Sequence, residues 1–294
     1  MQIGFLMDKY DPELVSFAGD AGFDSIELFT IPESGINLEV IGDAGIKRVA
    51  EHFESNSVKI GAICVSLNHL DDETTKRKAN NEYFKLAIKN CKKFGTDLIT
   101  TNTWGNIALT PAENISLYKE VFTEYAKIAE AEGVVIAMEN CPHSVGYPIA
   151  MGNIGYSPEM WEALFDAVPS KAIGLELDPS HLFWQQIDIE RAIRAFGERI
   201  YAFHAKDTEI MKDGMYRYGI YGKMFGKNSE WDYGCWRYRI PGWGDINWKG
   251  AFRALNDAAY KGPVFIEHED PVMTGDRHRE GLELGLRFLR GFTL

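Results

Sequence analysis

Along this chain, short apolar runs rich in β-branched and aromatic residues alternate with longer segments whose apolar residues recur every three or four positions. The short runs lie at 3–7, 25–29, 60–67, 98–102, 134–139, 173–177, 200–205 and 264–267. Their near-continuous hydrophobicity predicts strands buried on both faces, the condition of a parallel sheet. The longer segments, at 12–21, 42–54, 74–94, 112–131, 157–167, 188–196, 247–260 and 278–290, predict amphipathic helices. Over 112–131, for instance, Ile115, Leu117, Val121, Tyr125, Ile128 and Ala129 fall near one face. Glycine closes several helix-to-strand connections, as in KKFG-TDLIT, AEAEG-VVIAM and AAYKG-PVFIE, where a helix end favours a left-handed residue.

Eight strands alternating with eight helices over 294 residues predict a single (β/α)8 TIM barrel, in preference to an open doubly wound sheet. With no internal repeat or linker, residues 1–294 read as one domain. One connection breaks the rhythm. Residues 207–246 form a long loop holding Tyr216, Tyr218, Tyr221, Phe225, Trp231, Tyr233, Trp236, Tyr238 and Trp243. A loop of that length is expected to cover a site, to pack as an excursion or to contact a second subunit, so a homo-dimer is one reading.

Composition narrows the partners. A net charge of -12 and a pI near 5.1 disfavour nucleic acid, whose phosphates such a surface repels. A small anionic substrate stays open, because a site's field depends on its local groups. Cysteines at 64, 91, 141 and 235 have no CxxC spacing and read as ordinary intracellular thiols. The N-terminus lacks a signal-peptide pattern and no stretch is long enough to span a bilayer, so a cytoplasmic protein without membrane attachment is expected.

Active sites of such barrels are built at the C-terminal ends of the strands. The residues there are Glu27, Asn68-His69, Asn102, Glu139-Asn140, Asp178, His204 with Lys206-Asp207, and Glu267. Glu139, Asp178, His204 and Glu267 end four consecutive strands. Carboxylates that close repel by about 4 kcal/mol a pair at an effective dielectric near 20, and a divalent cation relieves the repulsion. Three carboxylates and one imidazole suit one divalent metal ion, Mn²⁺, Zn²⁺, Mg²⁺ or Co²⁺. Other readings stay open: Asp178 before Pro-Ser-His as a helix N-cap, His204 as a core histidine, and Glu269 or Asp270 in place of Glu267. His181 and His69 are candidates to line the site, and His268 should point away if Glu267 points in.

The segments AMENCPH, LELDPSHLFWQQIDIERAIRAFGERIYAFHAKD, WRYRIPGWGDINW and VFIEHEDP resemble the sugar phosphate isomerase/epimerase family, the xylose-isomerase-like barrels related to apurinic/apyrimidinic endonuclease family 2. The resemblance covers most of the second half and implies metal binding by Glu139, Asp178, His204 and Glu267, with His181 on the substrate. It further implies that Glu139 and Glu267 act as acid/base groups on a proton beside a metal-chelated carbonyl. Lys206, in HAKD, is then a candidate to face a developing oxyanion, or else to pair with Asp207 at the surface. The departures are informative. Trp236-Arg237-Tyr238 stands where the endonuclease branch carries an Asp-x-His, and Asn102 and Trp104 replace its strand-four histidine. Val145 and Ile210 stand where ketose 3-epimerases have a glutamate and an arginine; Arg237 or Arg239 is the candidate replacement cation. Trp104 and Arg237 join His181, His69 and Lys206 as expected substrate contacts.

The expected function is a metal-dependent isomerase or epimerase of a small sugar or sugar derivative. A lyase, dehydratase or hydrolase on the same metal is the alternative, ahead of a non-catalytic sugar-binding barrel or an abasic-site endonuclease.

Overall fold

The computed structural model of the protein describes residues 1–145, 150–220 and 230–292. Eight parallel strands close into a barrel: β1 (Gln2–Met7), β2 (Ser25–Phe29), β3 (Lys59–Cys64), β4 (Leu98–Asn102), β5 (Val135–Glu139), β6 (Ile173–Leu177), β7 (Ile200–Ala205) and β8 (Pro263–Ile266). Neighbours in the ring are neighbours in sequence, and β8 lies beside β1. This is the (β/α)8 barrel that the periodicity predicts.

Helices α1 (Pro12–Ala21), α2 (Leu38–Ser55), α3 (Thr74–Asn90), α4 (Pro111–Glu132), α5 (Pro158–Ala167), α6 (Pro179–Trp184), α7 (Ile189–Phe196), α8 (Lys212–Tyr218), α9 (Trp248–Asp257) and α10 (His278–Arg290) follow. Their ends have local causes. Thr110 and Glu113 form a reciprocal capping box at α4, with Pro111 in the first turn, and Gly133 ends the helix in the left-handed region at φ 63°. α2 begins four residues before the predicted 42 because Asn37 caps an extra turn, which breaks from the main helix at Gly42 (φ 59°, ψ 177°). α6 and α8 are additions that periodicity did not predict; each is too short to show two turns of pattern.

The chain packs as two compact units. One comprises Leu6–Leu177 with Arg199–Ala202. Its core includes Phe84, Tyr118, Phe122, Tyr125 and Trp161, with Tyr118 stacked on Phe122 at 4.2 Å between ring centroids. The other comprises Met1–Phe5, Asp178–Glu198 and Phe203–Leu294. There Phe203 and Ile266 turn from their strands toward helices: Phe203 packs with Phe252 of α9, and Ile266 meets the glycine face of α10 at Gly285.

The long segment after β7 is not the plain loop expected. Asp207–Ile210 and Trp236–Arg239 pair antiparallel, in the register Asp207↔Arg239 to Ile210↔Trp236, and α8 follows the first of them. Tyr221 and Phe225 lie outside the described residues. A buried column of rings stands on this ribbon: Trp184 on Trp236 at 4.9 Å and Trp236 on Tyr233 at 4.0 Å. Asp207 ties the segment down. Its carboxylate accepts hydrogen bonds from the backbone N–H of Thr208 (2.8 Å), Gly242 (2.9 Å) and Ile246 (3.1 Å), and from the Trp248 indole N–H (2.6 Å). Lys206 therefore does not pair with Asp207 at the surface. All four cysteines are free thiols, and no helix among the described residues is long and apolar enough to cross a membrane.

Replacing Asp207 by Ala strands four donors in a buried turn and is expected to cost about 3–5 kcal/mol. Urea unfolding should show the midpoint falling sharply; an unchanged midpoint would remove Asp207 from this structural role.

Candidate functional site

Four of the expected residues, Asp178, His204, Lys206 and Glu267, lie within the second unit, after β6 and along or after β7 and β8. Asp178 follows β6 and starts α6, and Pro179 presets the first helical turn. Its carboxylate divides its work. Oδ1 accepts the Ser180 N–H at 2.7 Å as an N-cap, while Oδ2 lies 3.2 Å from His181 Nε2, 3.2 Å from Lys206 Nζ and 4.0 Å from His204 Nδ1. The cap reading of Asp178 thus holds for Oδ1, while Oδ2 faces the imidazoles and the ammonium.

Period-two alternation places the rest. His204 pairs in register with Phe265, so Lys206 and Glu267, two residues further on each chain, continue along the same face. Glu267 Oε2 lies 3.0 Å from His204 Nδ1 and 2.5 Å from Lys206 Nζ. Glu269 Oε2 reaches the same ammonium at 2.9 Å. His268 turns the other way, as predicted, and its ring lies 4.4 Å from that of His278 on α10.

Lys206 is 1% exposed, with its Nζ 4.4 Å from the centre of the Tyr238 ring. Burial alone lowers a lysine's pKa, but Glu267, Glu269 and Asp178 together hold this one well above the ordinary value. It donates to Glu267 and Glu269 and lies 3.2 Å from Asp178 Oδ2, so the ammonium serves the acid cluster. Tyr238 Oη lies 2.9 Å from His181 Nδ1 and orients the ring, whose Nε2 lies 3.2 Å from Asp178 Oδ2.

In the first unit Glu139 ends β5 opposite Asn102 of β4. Asn102 Nδ2 donates to Glu139 Oε2 at 2.7 Å, and Asn102 Oδ1 accepts from Ser66 at 2.5 Å. Asn153 pins the outgoing backbone, donating to the carbonyls of Glu139 (3.0 Å) and Cys141 (2.7 Å). Within the second unit Asp178, His204 and Glu267 bring two carboxylates and one imidazole together, donors of the kind that suit a divalent cation. Glu176, buried in the first unit, was not anticipated. Glu176 precedes Asp178 by two on β6, so alternation offered a signal for it. Tyr238 carried no signal beyond its aromatic neighbourhood.

The other expected contacts have different surroundings. His69 is fully buried between Phe84, Phe122 and Tyr125, with Nδ1 3.1 Å from Tyr125 Oη and Nε2 2.8 Å from Thr101 Oγ1. Thr101 itself donates to the Val65 carbonyl, and Asn81, with its amide nitrogen toward Tyr125 Oη, lets that hydroxyl donate to His69. Every group is satisfied by a neutral imidazole protonated at Nε2, and burial depresses the pKa to about 3. It is a core histidine. Trp104 stacks on His143 at 4.1 Å and 11°, both in the left-handed region (φ 54° and 46°), with its indole N–H buried and no hydrogen-bond partner among the described residues. Two strained neighbours in one stack are the kind of local cost that sites retain. Arg237 donates to Glu209 at 2.8 Å, and Arg239 to Glu209 at 2.5 Å and Asp270 at 2.9 Å. Both guanidinium groups are thus paired along the ribbon.

A barrel with an acid–imidazole cluster at its strand ends defines a class, and the family match agrees with it. The chain belongs to the xylose isomerase-like TIM barrel family, whose model matches residues 15–292. It is 28% identical over 294 residues to the uncharacterized protein YfiH of Bacillus subtilis (89% of each chain), and 25% identical over 249 residues to the inosose isomerase of Bacillus velezensis (84% of this chain, 79% of the relative). Among solved structures, the zinc-bound IolI protein superposes with a TM-score of 0.75 at 21% identity, covering 99% of this chain and 98% of that one. D-psicose 3-epimerase in the presence of D-fructose superposes at 0.74 and 16% identity, covering 99% of both.

The His69 assignment has a measurable consequence. Its folded pKa of about 3 lies below the ordinary histidine value of 6.5, so between those pH values the unfolded chain takes up a proton that the folded chain refuses. His69 thus contributes stability that is present above 6.5 and is lost as pH falls toward 3. In His69→Gln, the slope of unfolding free energy against pH between 6 and 4 should be shallower than in wild type by up to about 1.4 kcal/mol per pH unit. Equal slopes in the two proteins would overturn the assignment.

Proposed function

We propose that this protein is a divalent-metal-dependent isomerase or epimerase of a small sugar or sugar-derived keto compound, with Glu139, Asp178, His204 and Glu267 as ligands. The observation that carries the reading is the gathering of Asp178, His204 and Glu267, two carboxylates and one imidazole, in the second unit, with Glu139 ending β5 in the first. The inosose isomerase relatives and the epimerase-like fold support it.

A divalent ion in this set would supply Lewis acidity toward a carbonyl and its neighbouring hydroxyl, acidifying the C–H beside them. The chain's own residues supply the rest. Glu139 and Glu267 are the bases, one removing the carbon-bound proton and the other returning it. Asn102, donating to Glu139 Oε2, fixes the orientation of that carboxylate and leaves Oε1 as its second oxygen. His181, oriented by Tyr238, contacts the substrate. The stacked Trp104–His143 pair provides a flat apolar face with an indole N–H for a substrate oxygen.

The test is a panel of ketoses and inososes incubated in D₂O with protein and Mn²⁺. Deuterium should enter one carbon-bound position of at least one substrate, and elemental analysis should find one divalent ion per chain. Glu139→Gln and Glu267→Gln should each lower exchange by about 100-fold or more and weaken metal binding while circular dichroism stays unchanged. Exchange near the wild-type rate in either variant would sink the role assignment. Net loss of water from an inosose, without exchange, would point to a lyase on the same centre.

A further inference from the structure

Lys206 spends its charge on oxygens that a metal would also want. Glu267 Oε2 accepts from its Nζ at 2.5 Å and Asp178 Oδ2 lies 3.2 Å from it, and these are the same two oxygens that face His204 Nδ1 at 3.0 and 4.0 Å. The remaining partner, Glu269 at 2.9 Å, is a carboxylate outside the four proposed ligands. The ammonium cannot be dismissed as a surface ion pair, since the side chain is buried beneath Tyr238.

We propose that Lys206 is a built-in competitor of the divalent ion for the oxygens of Asp178 and Glu267, and that Glu269 is the carboxylate that carries the ammonium when those oxygens turn to the ion. The inference rests on the metal-centre reading above. Its physical basis is that a cation sharing ligand oxygens with a second cation repels it at short range in a poorly screened interior. Lysine suits this role, being a compact point charge on a flexible stem that can shift between neighbouring carboxylates. Without Lys206 the carboxylates would repel one another during folding; with it the cluster assembles first and loads its ion afterwards. The cost is affinity, so the centre holds its ion more loosely than the acid set alone would, and the ion stays exchangeable. Glu269 limits that cost by drawing the ammonium away from Glu267.

The experiment is Mn²⁺ binding to the full-length protein, read by equilibrium dialysis and by competition with a chelator, so that no substrate is needed. Lys206→Met should tighten the Mn²⁺ Kd by about tenfold or more, and enlarge the rise in Tm that Mn²⁺ produces. Glu269→Gln should loosen the Kd several-fold, because Lys206 then leans on Asp178 and Glu267 alone. If Lys206→Met does not fold, Lys206→Gln, which removes the charge but keeps a polar end, carries the same expectation. A folded Lys206 variant whose Mn²⁺ affinity is unchanged or weaker overturns this inference and leaves the metal centre standing. Wild-type protein that takes up no Mn²⁺, Zn²⁺, Co²⁺ or Mg²⁺ overturns both.

Discussion

The ammonium of Lys206, buried among Asp178, Glu267 and Glu269, is the interaction on which the acid cluster of the second unit depends. Taking several charges out of water is costly unless each finds partners with good geometry. Here the geometry comes from the backbone. The register of β7 with β8 sets His204 beside Phe265, and the pleat carries Lys206, Glu267 and Glu269 along the same face. A slip of one residue would turn every one of these groups toward the helices, where Phe203 and Ile266 now pack. The apolar positions thus fix the charged ones: Phe203 and Ile266 commit the strands to one register, and the acid cluster assembles as a consequence.

The same alternation explains what could be read in the sequence. Glu139, Asp178, His204 and Glu267 stand where apolar runs stop, and a strand's last residues inherit a predictable side. That logic needs only local pattern, and His268, which turns toward α10, follows it. It failed for His69, which also follows an apolar run, because its surroundings are supplied by Thr101 and Tyr125, which lie 32 and 56 residues away. Nothing near His69 in sequence announces those partners. Lys206 was legible as a site residue but not in its partners, since Glu267 and Glu269 approach from a strand more than sixty residues later. The ribbon of Asp207–Ile210 with Trp236–Arg239 escaped for a related reason. Its two short strands are separated by a long connection, and neither is apolar enough to mark itself as a strand.

That ribbon gives the excursion after β7 a direct part in the centre. Tyr238 meets both Lys206, through its ring face, and His181, through its hydroxyl. The column of Trp184, Trp236 and Tyr233 backs the strand on which Tyr238 sits, and Arg237 and Arg239 clip its edge to Glu209 and Asp270. The ring stack and the arginine pairs therefore set the position of two side chains in the site without touching it themselves. Asp207 anchors the base of the segment through backbone N–H groups as far on as Ile246.

Asp178 gives one oxygen to the head of α6 and the other to His181, His204 and Lys206. An architect would say that the same bolt fastens the frame and carries the instrument. Few other side chains could do both. Asparagine would keep the cap and lose the charge, while glutamate would keep the charge and lose the cap's reach. Drift at this position is therefore closed from two independent sides, and lineages that changed their chemistry on this scaffold would have had to rebuild the start of α6 at the same time.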